Sequence, residues 1–265
     1  MIRSLAAKTL RERWRMAAIF VGVIVSYTLL VVAIYPSIGK VKTDYAKNIP
    51  KAFAKFFGVS NFNLTTFNNY VTLQFLSLMW VILVAAFVIS MARRMVAGEL
   101  KEGTLEFLLS QPVQRWKLLS VQAALLLASI VGFVLVTVGS IVAFAAAFNV
   151  GSTYGGYVVF ILPACALFIA IAGYSILFSA IFRDPGQAAM AAGGLTLVFY
   201  LMNFAASYWK SVEFIGWFSI FKYYQPLDAI AKSSAPVRDI LVPVGFGLVC
   251  FAAALWVFQR RDVAP

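Results

Sequence analysis

The chain has 265 residues, 62% of them hydrophobic and 12% charged, at a mean hydropathy of +0.89. A soluble globule of that composition would lack adequate polar surface, so the sequence reads as an integral membrane protein. The formal charge of +12 is carried by residues that flank apolar runs, which favours membrane anchoring over nucleic-acid binding.

Six apolar runs, at about 16–35, 70–92, 118–148, 157–182, 187–209 and 240–259, are each long enough to cross a hydrocarbon core of roughly 30 Å. Their length, without apolar–polar alternation, excludes a membrane barrel. The expected fold is an all-α integral membrane protein, one transmembrane domain over 1–265 with six transmembrane helices. The 118–148 run, roughly 46 Å if fully helical, must tilt or project.

Residues 1–15 put Ile2, Leu5, Ala6, Leu10 and Trp14 on one helical face and Lys8, Arg11, Glu12 and Arg15 on the other. This predicts an interfacial elbow helix before the first span, either holding a cytosolic partner or simply anchoring topology. In the loop 36–69, Pro50 to Gly58 reads as a second interfacial helix, with Phe53, Phe56 and Phe57 against Lys51 and Lys55. Asn63-Leu64-Thr65 matches a glycosylation pattern, a short signal of little weight.

The longest polar interruption is 93–117, RRMVAGELKEGTLEFLLSQPVQRWK. Pro112 disfavours helix at Gln111 and Gly103 weakens it on the other side, so Thr104 to Ser110 should be a separate short helix. Its apolar face is Leu105, Leu108 and Leu109. A helix this short needs something to dock on.

Asn149, Gly151, Gly155 and Gly156 make the third and fourth spans an antiparallel hairpin, and Pro163 introduces a kink in the fourth. Arg183-Asp184-Pro185-Gly186 is a tight turn. Ala189 and Gly193 in the fifth span predict close helix approach, favoured within the chain, while Asn203 and Ser207 suit interhelical hydrogen bonds. From 209 to 239 the sequence is too interrupted to span and too apolar for a solvated loop. It predicts one or two short re-entrant or interfacial helices, one starting near Pro226 and Asp228. Trp209, Trp217, Tyr223 and Tyr224 are expected at headgroup depth.

With both termini inside, thirteen Lys and Arg fall on inner segments and nine on outer ones, a weak positive-inside margin; ten of eleven arginines lie inside. The sequence has no histidine, no phosphate-binding loop and no acidic residue within a span, and its two cysteines lie inside spans. Catalysis, metal binding and proton-coupled transport by this chain are therefore disfavoured.

The run Glu99-x-x-Glu102-Gly103-Thr104-Leu105-Glu106-Phe107-Leu108-Leu109-Ser110-Gln111-Pro112-Val113-x-Arg115 resembles the loop between the second and third spans in permease subunits of type-2 ABC (ATP-binding cassette) exporters. The six-span layout, the elbow, Tyr223-Tyr224-Gln225-Pro226 and the Arg260-Arg261-Asp262 end extend the likeness over nearly the whole chain. One departure is that Leu100-Lys101 splits the acidic pair Glu99 and Glu102.

The resemblance implies a cytoplasmic coupling helix seated on a separate ABC ATPase, with Glu99, Glu102, Gly103, Thr104, Leu105, Glu106, Leu108, Leu109, Pro112 and Arg115 as the partner-binding residues. It further implies two ATPases, which carry ATP and Mg, and a second permease copy, identical or related. This chain itself would hold no cofactor and no catalytic residue. The setting would be a prokaryotic plasma (inner) membrane, with both termini cytoplasmic. The physical reading agrees, since a leucine-faced short helix with flanking acids is a helix-in-groove ligand. The alternatives are a non-transporting anchor or sensor subunit of an ABC-type complex, and a membrane enzyme acting on lipid-linked substrates. The substrate path is not readable; apolar spans favour hydrophobic, amphiphilic or lipid-like cargo, with large neutral solutes and peptides left open.

Overall fold

The computed structural model describes residues 2–38, 66–101, 115–150 and 154–260, and there is no strand among the described residues. Six helices are long and apolar enough to cross a membrane. They are α1 (Ile2–Ile38), α2 (Phe67–Lys101), α3 (Arg115–Ala147), α4 (Tyr154–Ile181), α5 (Pro185–Tyr208) and, after the short α6 (Pro226–Lys232), α7 (Val237–Arg260). Two 3-10 segments, Lys210–Phe218 and Ile220–Tyr223, lie between α5 and α6. The expected helix at Pro50–Gly58, the Asn63-Leu64-Thr65 pattern and the expected helix Thr104–Ser110 lie outside the described residues.

The elbow is not a separate helix. α1 runs unbroken from Ile2 to Ile38, 37 residues or roughly 55 Å. No glycine or proline precedes Gly22, and the first fifteen residues are rich in good helix formers, so nothing local stops the helix at the 15/16 boundary. From Phe20 onward α1 is joined to α2 by aromatic pairs. The ring centroids of Phe20 and Phe87 are 5.4 Å apart, those of Tyr27 and Phe75 5.2 Å, and those of Tyr35 and Phe67 5.2 Å.

α4 is the central helix. It carries no charge and buries Tyr157, Phe160, Leu167, Phe168, Tyr174 and Ala180 against α2, α3, α5, α6 and α7. A helix apolar on every side is accommodated by neighbours on every side. Trp80 of α2, fully buried, stacks edge-on to Phe168 of α4 at 5.1 Å, and its indole Nε1 donates to Thr137 Oγ1 of α3 at 2.8 Å.

The tightest approach is between α4 and α7. A Cβ on Gly173 would lie 2.3 Å from the Gly247 carbonyl oxygen, and one on Gly247 2.6 Å from that of Ile169. Glycine there lets two backbones touch. The seam expected at Ala189 and Gly193 is only partly formed: Ala188 and Ala192 are buried, but a Cβ on Gly193 or Gly194 would meet nothing within 4 Å. Both glycines have open space beside them, on a helix whose Met190, Leu197 and Leu201 are exposed, an apolar face suited to hydrocarbon.

The segment after α5 re-enters the bundle. Ser219 Oγ donates to the Phe199 carbonyl at 2.6 Å, so the chain has turned back about nine residues along α5, roughly 14 Å. Non-helical backbone at that level must be enclosed by protein and have its polar groups satisfied. Both conditions hold: Ser219, Ile220, Phe221, Tyr223 and Tyr224 are buried. The Phe221 amide donates to Ser219 Oγ at 3.1 Å, and the Tyr223 hydroxyl to the Trp217 carbonyl at 3.2 Å. Tyr223 and Tyr224 therefore pack inside the protein rather than at an exposed headgroup level, whereas Trp209 and Trp217 are exposed. α6 then leaves with Pro226 in its first turn and crosses α4 so closely that a Cβ on Gly156 would lie 2.0 Å from the Ile230 carbonyl.

Candidate functional site

The polar interruption after the second span begins as helix. Residues 93–101 extend α2, with Met95, Val96, Ala97 and Gly98 buried rather than solvated. The helix widens to a π turn over Arg94–Gly98, and Ser179, from the last turn of α4, supplies the cause. Its hydroxyl donates to the Arg93 carbonyl at 3.2 Å and accepts from the amides of Val96 and Ala97, each at 3.2 Å. A side chain inserted into the main-chain ladder displaces the usual four-residue bond. Accordingly the Gly98 amide reaches back five residues to the Arg93 carbonyl, at 3.2 Å.

A second clamp lies one turn further on. Lys101 Nζ is 2.8 Å from Asp184 Oδ2, while Asp184 Oδ1 accepts from the amides of Gly186 at 2.7 Å and Gln187 at 3.2 Å. One carboxylate thus caps α5, with Pro185 preset in the first helical position, and holds the end of α2. The Lys101 ammonium, then the Gln187 and Gly186 amides, hold the Asp184 carboxyl below its ordinary pKa. The pair is exposed to solvent, so its role is positional more than energetic.

The segment 102–114 is therefore strung between an α2 end fixed to α4 and α5 and Arg115, the first residue of α3. Of the sequence candidates, Glu99 is half-buried in the last turn of α2 and Arg115 opens α3. Glu102, Gly103, Thr104, Leu105, Glu106, Leu108, Leu109 and Pro112 lie outside the described residues. The sequence reading missed Ser179 and the pairing of Lys101 with Asp184. The Asp184-Pro185 cap was visible as a turn signal, but nothing local could name its partner 83 residues away.

The family model for the ABC-2 family transporter protein matches residues 3–263. The chain belongs to the ABC-2 transporter family. Comparison with curated proteins found no match. The ABC-2 protein is thus a multi-pass membrane transport component of permease type, and membership implies in general a partnership with an ABC ATPase subunit.

Elsewhere in the ABC-2 bundle, polar side chains serve as internal ties. Tyr174 of α4 hydrogen-bonds Thr196 of α5, and the Tyr157 hydroxyl donates to Asn68 Oδ1 at 3.1 Å, joining α4 to α2. Among the described residues Asn203 and Ser207 make no bond between helices; Ser207 Oγ donates to the Asn203 carbonyl within α5 at 2.8 Å. Beside the re-entrant segment, Tyr223, Gln225, Asp228, Asp239 and Pro163 line a cavity of about 90 Å³.

Proposed function

We propose that this ABC-2 protein is the permease of an ATP-driven exporter, that it forms the translocation path with a second permease copy, and that the segment 102–114 receives the stroke of a separate ATPase. The observation that carries this reading is the double clamp at the end of α2. Because Ser179 and Asp184 tie that end to α4 and α5, a displacement applied to the segment reaches three spans together rather than being lost in a slack loop. Glu99 and Arg115 sit at its two roots, where they would fix orientation in a groove.

In this reading the termini and the 102–114 segment are cytoplasmic, the membrane is a prokaryotic plasma membrane, and ATP and Mg are bound by the partner. Two ATPases serve two permeases. The cargo is amphiphilic or lipid-like.

Alanine at Leu105, Leu108 and Leu109 together tests the coupling. The variant should reach the membrane but lose most copurification of its ATPase and its stimulation of ATP hydrolysis. Unchanged complex formation and stimulation would falsify the assignment of that segment. Orientation is tested separately by an impermeant thiol reagent on intact cells, which should reach cysteines placed at 40–57 and not those at 102–106.

A further inference from the structure

The outward side of the re-entrant segment differs in chemistry from its buried side. Phe214 is 63% exposed and Phe218 73%, with Trp217 about half exposed beside them. Two cations share the Trp217 ring: Lys222 Nζ lies 3.4 Å from the ring centroid and the Arg238 guanidinium carbon 4.2 Å from it. Arg238 also lies 5.5 Å from the centroid of Tyr223. Held on one ring, the two charges can be no further apart than the sum of their distances to it, so they repel.

Asp239, the residue after Arg238 in α7, lies close enough to feel its charge. Neither Lys222 nor Arg238 forms an ion pair with a carboxylate among the described residues. Asp228 is taken by Lys232 at 3.4 Å, and the exposed Glu213 on the same segment pairs with neither cation. A cation–π contact fixes where a charge sits yet leaves most of its N–H donors unused. The result is a positioned, charge-dense donor set bordering exposed aromatics, next to the ends of two membrane-spanning helices.

We propose that Lys222 and Arg238 bind the phosphate of an anionic phospholipid whose acyl chains lie against Phe214 and Phe218. A phosphate oxygen cluster accepts from ammonium and guanidinium together and relieves their repulsion. A soluble anion would use the cations and leave the aromatic face uncovered; a neutral lipid would do the reverse. Only an anionic amphiphile matches both. Because Lys222 belongs to the re-entrant segment and Arg238 to the first turn of α7, the bound headgroup staples one to the other. This inference does not depend on the export reading.

The test is thermal unfolding of the full chain in detergent with added phosphatidylglycerol, phosphatidylcholine of the same acyl chains, or inorganic phosphate. Phosphatidylglycerol should raise the unfolding temperature by several degrees more than phosphatidylcholine, and inorganic phosphate should not reproduce the shift. The preference should vanish in the double variant K222Q/R238Q and persist in K222R/R238K. Native mass spectrometry of the unaltered protein supplies a readout free of folding defects, with phosphatidylglycerol retained over phosphatidylcholine. Equal retention of the two lipids, a preference that survives K222Q/R238Q, or an equal shift from inorganic phosphate overturns the proposal.

Discussion

The hydroxyl of Tyr224 donates a 2.8 Å hydrogen bond to the main-chain carbonyl of Leu76, 148 residues away, in a fully enclosed position. Leu76 ends a π turn, Thr72–Leu76, just before α2 departs from helical geometry at Leu78 (φ −131°, ψ −57°). The re-entrant segment thus reaches across the bundle to satisfy a carbonyl at a break in another span. Replacing Tyr224 with Phe keeps the ring against Phe160 and removes only the hydroxyl. The expected loss is about 1–2 kcal/mol, read as a fall of a few degrees in unfolding temperature. An unchanged temperature would mean that the carbonyl finds another donor without cost.

Glycine at 173 and glycine at 193 should differ in their response to alanine. Gly173→Ala drives a methyl into the Gly247 carbonyl and must separate α4 from α7, at a cost of about 1–3 kcal/mol. Gly193→Ala enters open space and should stay within roughly 0.5 kcal/mol of the parent. Thermal unfolding of the two variants side by side decides the matter. A loss at Gly193 as large as that at Gly173 would show that the helix crossing has been assigned to the wrong pair.

Removing the Ser179 hydroxyl should loosen the end of α2 without unfolding the protein. Two amides and a carbonyl lose one shared partner in Ser179→Ala. Hydrogen–deuterium exchange at Val96 and Ala97 should accelerate by about tenfold, with Met79–Ala92 unaffected. Exchange at its former rate would mean that the π turn is held by the rest of the α2–α4 contact.

The Lys101–Asp184 clamp has a defined pH response. The folded pKa of Asp184 is depressed below its ordinary value of 3.8, so the clamp's contribution is present above that value and lost only as pH falls through the lower folded one. Asp184→Asn retains a helix-capping side chain but removes the charge, which isolates the ion pair from the cap. The difference in unfolding temperature between parent and variant should be constant from pH 8 to about pH 5 and close in stronger acid. A difference that closed near neutrality would place its origin in another group.

The sequence by itself determined the six spans. In a bilayer an apolar run must take up its own backbone hydrogen bonds as helix, and that requirement is local. The turn at Asp184-Pro185 and the start of α6 near Pro226 were legible because proline and its neighbours act on the backbone locally. Only the tertiary structure decided which faces meet. Lipid tails and protein side chains are equally apolar, so hydropathy could not tell Gly173, pressed against Gly247, from Gly193, which faces open space. The widening of α2 at Ser179, the pairing of Lys101 with Asp184 and the inward course of Tyr223 and Tyr224 were hidden likewise. Each depends on a partner distant in the chain, and no local pattern encodes that partner's position.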